Sequence, residues 1–240
     1  IFLNKPLPLV PREFRFGVTE RVDARGNVLI PFVEESLDGV LQALRDNDIE
    51  SVAVGLMHSY AAPDHERQLA EILTRELPGV LVSLSSEVSP EIREYERWST
   101  TAANAYVQPL MSNYLGRLSD ELGRMGFTCP LNLMTSGGGL TSLETARRFP
   151  IRLVESGPAG GAILAARLAQ ECGLDRVLSF DMGGTTAKIC LIDDGEPQHS
   201  RSFEVARQYR FLKGSGLPLR IPVIEMVEIG AGGGSIARVD

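Results

Sequence analysis

Apolar and polar positions in this chain change period repeatedly, and each change marks an element. Phe14 to Val22 alternates closely enough for a strand, Asp23-Ala24-Arg25-Gly26-Asn27 is turn chemistry, and Val28 to Phe32 predicts the return strand. Leu37, Val40, Leu41 and Leu44 then fall on one helical face, which Asp46-Asn47-Asp48 ends. Val52, Val54 and Leu56, with small residues between them, predict a strand over Ser51 to Met57. Pro63-Asp64 opens a helix with Leu69, Ile72, Leu73 and Leu77 on its inner side, and Pro78-Gly79 closes it. Val80 to Leu84 is the next strand. Strands alternating with helices in this way predict βαβ units and an α/β fold.

In the next stretch, Ser89-Pro90 predicts the start of a long helix, with serine as cap and proline in the first turn. It should run to Val107, and Pro109 should break or kink it. Leu115, Leu118, Leu122 and Met125 continue the helical spacing as far as Gly126. Leu131 to Met134 predicts a strand leading into Ser136-Gly137-Gly138-Gly139. Ile151 to Val154 predicts another, leading into Glu155-Ser156-Gly157-Pro158-Ala159-Gly160-Gly161. Ala162 to Gln170 is a small-residue helix suited to close packing. Val177 to Phe180 reads as a buried strand ending at Asp181, Ile189 to Ile192 leads away from it, and Asp193-Asp194-Gly195-Glu196 is a hairpin turn. Sparse strands then lead to Gly230-Ala231-Gly232-Gly233-Gly234-Ser235. No internal repeat or low-complexity tract is visible.

The chemistry concentrates where these strands meet glycine. In Asp181-Met182-Gly183-Gly184-Thr185-Thr186 the glycines let the main chain approach a ligand closely. Their amides, with the hydroxyls of Thr185 and Thr186, can form an anion cradle. Asp181 can hold a metal-bound water or orient a nucleophile. An ordinary hairpin turn is the plain alternative. Gly157, Gly160 and Gly161 can supply backbone donors at a helix start, or can simply permit close helix packing. His58 ends a predicted parallel strand, where ligands of open α/β sheets bind, and could act as acid/base or metal ligand. His65, seven residues on, reads as a hydrogen-bonded structural histidine, and Glu94, Glu96 and Arg97 as mostly a solvated helix face.

Composition narrows the partners. The 240 residues carry 43% apolar side chains, enough for a real core, and a net charge of −7 with acids and bases interleaved. Nucleic acid is disfavoured as a main partner. No apolar run approaches the ~20 residues that span a bilayer. Cys129, Cys172 and Cys190 are scattered and odd in number, which fits a reducing cytoplasm better than a disulfide framework or thiolate zinc site. The chain begins at Ile1 in a proline-rich stretch and ends at Asp240 just after a glycine cluster, and it reads as a fragment of a longer polypeptide.

Taken in order, these motifs resemble the hydantoinase A/5-oxoprolinase family. The likeness covers Glu155 to Gly161, Asp181 to Thr186, and Ile229-Gly230-Ala231-Gly232-Gly233-Gly234-Ser235-Ile236. It extends to Lys5-Pro6-Leu7-Pro8-Leu9-Val10-Pro11-Arg12, Val54 to Tyr60 with Pro63 to Glu66, and Glu94 to Arg97 with Asn104-Ala105-Tyr106. The resemblance implies a partial actin-like ATPase fold of the sugar kinase/Hsp70-like kind, two lobes closing on ATP. Residues 1–172 would be part of the first lobe and residues 173–240 the start of the second, carrying the phosphate-loop hairpin. The first phosphate loop, normally upstream, is not found. The cofactors implied are ATP and Mg2+, with room for a second divalent metal, and Asp181 and His58 are the candidate metal ligands and catalytic residues. Gly183, Gly184, Thr185, Thr186, Gly157, Gly160, Gly161, Gly232 and Gly233 are the candidate nucleotide contacts.

The activity implied is ATP-dependent hydrolysis of a cyclic amide such as a hydantoin or 5-oxoproline, beside a B-type partner subunit. The ATP-using subunit of a ketone carboxylase is an alternative within the family, and an actin-like ATPase switch acting on a protein partner is one outside it. One departure stands out. Where the common form of the phosphate loop continues Ser-Thr-Asp, this chain has Thr186-Ala187-Lys188, a base in place of an acid. Lys188 could meet a phosphate or face solvent.

Overall fold

The computed structural model describes residues 4, 6–209, 212–236 and 238. Ile1, Lys5 and Asp240, named above, lie outside the described residues. In chain order the elements are β1 (Arg21–Val22), β2 (Val28–Ile30), α1 (Asp38–Asp46), β3 (Ser51–Val54), α2 (Asp64–Glu76), β4 (Leu81–Leu84), α3 (Ser85–Val88), α4 (Glu94–Arg124), β5 (Asn132–Met134), β6 (Leu140–Ser142), α5 (Leu143–Arg148), α6 (Ser156–Glu171), β7 (Arg176–Met182), β8 (Ala187–Asp193), β9 (Glu196–Pro197), β10 (His199–Ser200), β11 (Phe203–Val205), β12 (Leu217–Leu219), β13 (Val223–Ile224) and β14 (Val227–Ile229). They form two compact units, one of residues 1–129, 144–151 and 203–220, the other of residues 130–143, 152–202 and 221–240. The unit borders do not fall at the expected lobe border after residue 172, because α6 and the β7–β8 hairpin share one core.

The first unit is built on a βαβ unit. β3 and β4 run parallel, with Ser51 opposite Leu81 and Val54 opposite Leu84, and α2 is the crossover. Val52, Val54, Val82 and Leu84 pack with Leu41, Leu44, Leu69, Ile72 and Leu73 of α1 and α2. The alternate residues Ser51 and Ser83 bond to α4 instead, so one sheet face is apolar and the other polar. The first hairpin is shorter than its alternation suggests: Arg12–Phe14 is a 3-10 turn and only Arg21–Val22 pairs with Val28–Ile30. The Asp23 carboxylate accepts the Arg25 and Asn27 amides at 2.8 and 2.9 Å and fixes the turn between them.

Helix α4 corrects two expectations. It starts at Glu94 rather than Ser89, and it passes through Pro109 without ending. Proline has no N–H for the carbonyl four residues earlier. That carbonyl, on Ala105, accepts the Ser51 hydroxyl at 2.7 Å instead. A strand side chain thus replaces the missing helix bond, and α4 runs for 31 residues.

In the second unit, β14, β8 and β7 form an antiparallel sheet in that order, with β9 also pairing with β8. Ala159, Ala162 and Ala166 of α6 pack against Cys190, Ile192 and Ile224. Small side chains let α6 lie close on the hairpin, as their spacing predicts. The strand expected to be buried is not: Leu178 is 53% and Phe180 54% exposed. The cause is the register. Val177 and Ser179 share the α6 face with their partners Ile192 and Cys190, while Leu178 and Phe180 share the other face with Leu191 and Ile189. β7 is also an edge strand. Ser136-Gly137-Gly138-Gly139 is the turn of the β5–β6 hairpin, closed by Gly138 N–H donating to Thr135 C=O at 3.0 Å. The strand expected at 151–154 is a 3-10 turn, Pro150–Leu153.

Candidate functional site

The loop between β7 and β8 holds most of the expected chemistry. Met182 pairs with Ala187, and the Gly183 N–H donates to Thr186 C=O at 2.9 Å, so residues 183–186 close as a tight bend. Gly183, Gly184 and Thr185 are exposed. Among the described residues the amides of Gly184 and Thr185, both threonine hydroxyls and the Asp181 carboxylate have no hydrogen-bond partner. Asp181 lies within the exposed end of β7, not at the close of a buried strand.

The last glycine cluster comes to this loop. The Gly233 N–H donates to Gly183 C=O at 3.0 Å. A Cβ on Gly232 would stand 2.1 Å from the Gly184 carbonyl oxygen and 2.6 Å from the Thr185 nitrogen. Only glycine fits there, because backbone meets backbone with no room for a side chain. Ser235 steadies the bend, its hydroxyl accepting the Gly232 N–H at 3.1 Å. Two motifs about fifty residues apart in sequence are thus one structure, and the closeness of Gly232 to Gly184 is what glycine repetition in both segments signals.

The middle cluster behaves differently. Helix α6 already begins at Ser156, so Ser156 and Gly157 occupy its first turn. Ala159 N–H donates to Glu155 C=O at 3.2 Å, the first internal helix bond. Gly160 and Gly161 lie beyond it, where helix amides are internally bonded. Of the three expected donors, only Gly157 keeps an amide free of the helix ladder. Gly160 instead sits within 3.9 Å of Met134, counted from where its Cβ would be. Sequence reading gave Glu155 no role. Its backbone is left-handed, φ 63°, at the N-cap of α6, and its carboxylate pairs with Lys188. Lys188 therefore does not face solvent: its side chain is 17% exposed.

His58 lies in the other unit, in the turn after β3, with a left-handed φ of 58°. Its N–H donates to Glu94 Oε1 at 3.4 Å, and its ring lies 3.7 Å from the same oxygen and 3.5 Å from the Tyr60 hydroxyl. Burial opposes ionisation of Glu94, but its own amide, the His58 amide and Arg97 outweigh it and hold the carboxyl below the usual range. His65 is buried, its Nδ1 bonding to Glu20 at 2.8 Å, the structural role expected of it. Arg97 overturns the expectation of a solvated face, being fully buried. It donates from Nε to Ser85 Oγ at 3.2 Å, and from Nη1 and Nη2 to the carbonyls of Glu91 and Leu56 at 2.9 Å each. The Ser85 hydroxyl in turn donates a hydrogen bond to buried Glu66 at 2.7 Å, and Glu66 also accepts the Leu56 and Ser86 amides. The network ties the ends of β3 and β4 to α2 and α4.

Among the described residues no group of three or more His, Cys, Asp or Glu side chains could hold a metal ion, and no helix is long and apolar enough to cross a membrane. Asp181 and His58 belong to different units. A groove of about 340 Å³ beside α1 and α2 is lined by Glu34, Asp38, Arg45, Arg75 and Glu76 with Leu37, Leu41 and Ile72, and includes none of the expected site residues.

The profile of the hydantoinase/oxoprolinase proteins matches residues 97–240, and that of their N-terminal region matches residues 2–77. The chain belongs to the hydantoinase/oxoprolinase family. An uncharacterised protein of Methanocaldococcus jannaschii is 42% identical over 100% of this chain and 36% of its own length. Caprolactamase subunit alpha of Pseudomonas jessenii is 33% identical over 97% of this chain and 32% of its own. The crystal structure of ATP-dependent caprolactamase from the same organism superposes with a TM-score of 0.82 at 32% identity, covering 98% of this chain and 33% of that one. Nucleotide-free acetone carboxylase, from work on ATP-dependent acetone carboxylation, gives 0.80 at 29% identity over 98% of this chain and 32% of that one. The chain thus spans about a third of the length of these relatives.

Proposed function

We propose that this chain is the part of an ATP-dependent cyclic amide hydrolase that carries a phosphate loop. The observation behind the reading is the loop pair: Gly183 to Thr186, with unpartnered amides and hydroxyls, backed by Gly232–Gly233 at a spacing no side chain could enter. A polyanion suits donors that have no partner among the described residues. The family and the ATP dependence of its caprolactamase relative supply the substrate class.

The chemistry follows from resonance. A ring amide resists water because its nitrogen feeds the carbonyl. Transfer of the γ-phosphoryl to the amide oxygen releases ADP and leaves an O-phosphorylated imidate, whose carbon is a stronger electrophile than that of the amide. Water adds to that carbon, the C–N bond breaks as the nitrogen takes up a proton, and the ring opens to an acyl phosphate that a second water hydrolyses to carboxylate and phosphate. Catalysis here consists of positioning and charge stabilisation. Gly184, Thr185 and Thr186 would orient phosphate oxygens, and Asp181 would hold a water of the nucleotide's Mg2+. Such a Mg2+ takes most of its ligands from phosphate and water, so one exposed carboxylate matches what the loop offers. A second, resident metal has no matching ligand group here. We assign His58 to the turn above the Arg97 network, as a candidate for substrate contact rather than metal binding.

In the same reading the two units belong to the lobes of an actin-like ATPase fold, and a B-type subunit completes the enzyme, since the caprolactamase relative is itself one subunit. A ketone-carboxylase role is the second reading, favoured by the 0.80 TM-score with acetone carboxylase. ADP release by the whole polypeptide with its co-purified partner separates them. Stimulation by hydantoins, 5-oxoproline or larger lactams supports hydrolysis. Stimulation by ketones that depends on bicarbonate moves the protein to the carboxylases. Asp181→Asn should abolish the stimulated release and leave the melting temperature unchanged; near-normal turnover would remove Asp181 from the mechanism.

A further inference from the structure

In the sheet, Lys188 stands directly opposite Asp181 on β7 and Glu228 on β14. Directly opposed residues leave an antiparallel sheet on the same face. Cys190 and Ile192, further along that face, are buried under α6. Lys188 therefore lies where the face reaches the start of α6, and there its ammonium pairs with Glu155. Asp181 makes no hydrogen bond among the described residues although Lys188 is its cross-strand neighbour. The lysine has been drawn to the one carboxylate that lies off the sheet.

Three further facts bear on what the pair does. Glu155 has a left-handed backbone, a conformation that persists in a non-glycine residue only where its surroundings enforce it. The pair is partly open, with side chains 17% and 32% exposed, so solvent or a ligand can compete for it. Asp181 and Glu228 stand across the sheet from Lys188 and Glu155 pairs with it, so Lys188 offsets three carboxylates whose charge would repel a polyphosphate. Lysine is a compact charge on a flexible stem and can change partner without moving the backbone.

We propose that Lys188 exchanges partners: it pairs with Glu155 while the loop is empty and turns to the terminal phosphoryl group when a nucleotide triphosphate enters. This rests on the phosphate-loop reading above. Lys188 is then a catalytic residue that contacts the transferred group, and Glu155 is a positioning residue that holds it in waiting. In the transfer, the bond from γ-phosphorus to the bridging oxygen breaks, its electron pair leaves on ADP, and a lone pair of the amide oxygen forms the new P–O bond. Lys188 contributes contact to the transferred group and moves no proton.

The test is isothermal titration of the whole polypeptide with Mg-ATP and Mg-ADP, beside melting temperatures, for wild type, Lys188→Met, Lys188→Arg and Glu155→Gln. Exchange predicts opposite signs. Lys188→Met should weaken ATP binding about tenfold or more, the scale of one charge-assisted hydrogen bond, with a smaller effect on ADP. Lys188→Arg should restore part of it. Glu155→Gln frees the lysine and should tighten ATP several-fold while lowering the melting temperature. If Lys188→Met and Glu155→Gln both weaken ATP binding, or Lys188→Met leaves it within about twofold, the pair is a structural bridge and the exchange is overturned. If wild type itself binds no ATP, the phosphate-loop reading falls first. Should Lys188→Met fail to fold, the sign of the Glu155→Gln effect still decides.

Discussion

The Arg97 network of the first unit and the Gly183–Thr186 loop of the second are both rich in polar groups, and they treat them in opposite ways. Around Arg97 the charges are buried and bonded: Arg97 reaches Ser85, Glu91 and Leu56, and Glu66 takes up the amides and the hydroxyl that face it. At the loop the amides of Gly184 and Thr185, the two threonine hydroxyls and the Asp181 carboxylate have no partner among the described residues. Burial with satisfaction specifies a fold, because any other arrangement leaves a charge unpaired. Exposure without satisfaction costs the protein little, since water solvates the groups, and leaves them available to a ligand. Polarity alone does not mark a site; polar groups that the protein leaves unused do.

Mutations should separate the two regions. The largest effect on folding is expected from Arg97→Ala, which takes the donor from Ser85 Oγ and from the Glu91 and Leu56 carbonyls and should cost about 3–5 kcal/mol in chemical denaturation. A loss under about 1 kcal/mol would mean that water replaces the guanidinium and the network is no structural centre. Gly232→Val comes next. Its side chain would overlap the Gly184 carbonyl, push the two loops apart and cost about 1–3 kcal/mol. Its nucleotide affinity should fall by more than its stability explains. Nucleotide affinity retained in a folded Gly232→Val protein would show that the loop contact is only structural. The two substitutions differ in kind: the first should leave any folded molecules able to bind nucleotide, the second should not.

Ser51→Ala should cost less, about 1–2 kcal/mol, by leaving the Ala105 carbonyl without a donor inside the first unit. It also shows why Pro109 misleads a reader of sequence. The spacing of apolar residues on both sides of Pro109 is helical, and the proline argues for a break; the bond that settles the matter comes from a serine more than fifty residues earlier. The same limit applies to Arg97, whose position on a helix with glutamates at 94 and 96 looks like a solvated face until the Leu56 carbonyl and Ser85 are brought to it at the ends of β3 and β4. Local signals served better where one segment decides the outcome. The α2 stripe of Leu69, Ile72 and Leu73, the parallel pairing that βαβ alternation demands, and the Asp-Met-Gly-Gly-Thr-Thr bend were all legible. At the site the glycines pointed to close backbone approach, and Gly232 against Gly184 is such an approach. Gly160 and Gly161 did not separate from them in sequence, because helix packing and ligand approach both favour a missing side chain. Glu155 was invisible as a site residue, since its partner Lys188 lies across the core of another element.

The smallest effect expected on the buried side of the comparison is one of pH. Glu94 has its carboxyl held below the ordinary range by its own amide, the His58 amide and Arg97, against the opposing pull of burial. A carboxyl depressed in the folded state contributes stability above its unfolded value, about 4.3, and loses it as pH falls through the folded value. Melting temperature should therefore drop more steeply below about pH 4 in wild type than in Glu94→Gln, and the two curves should run parallel above pH 6. Curves of wild type and Glu94→Gln that coincide through the acid limb would show that the network does not hold this carboxylate, and the buried side of the comparison would be looser than its hydrogen bonds make it.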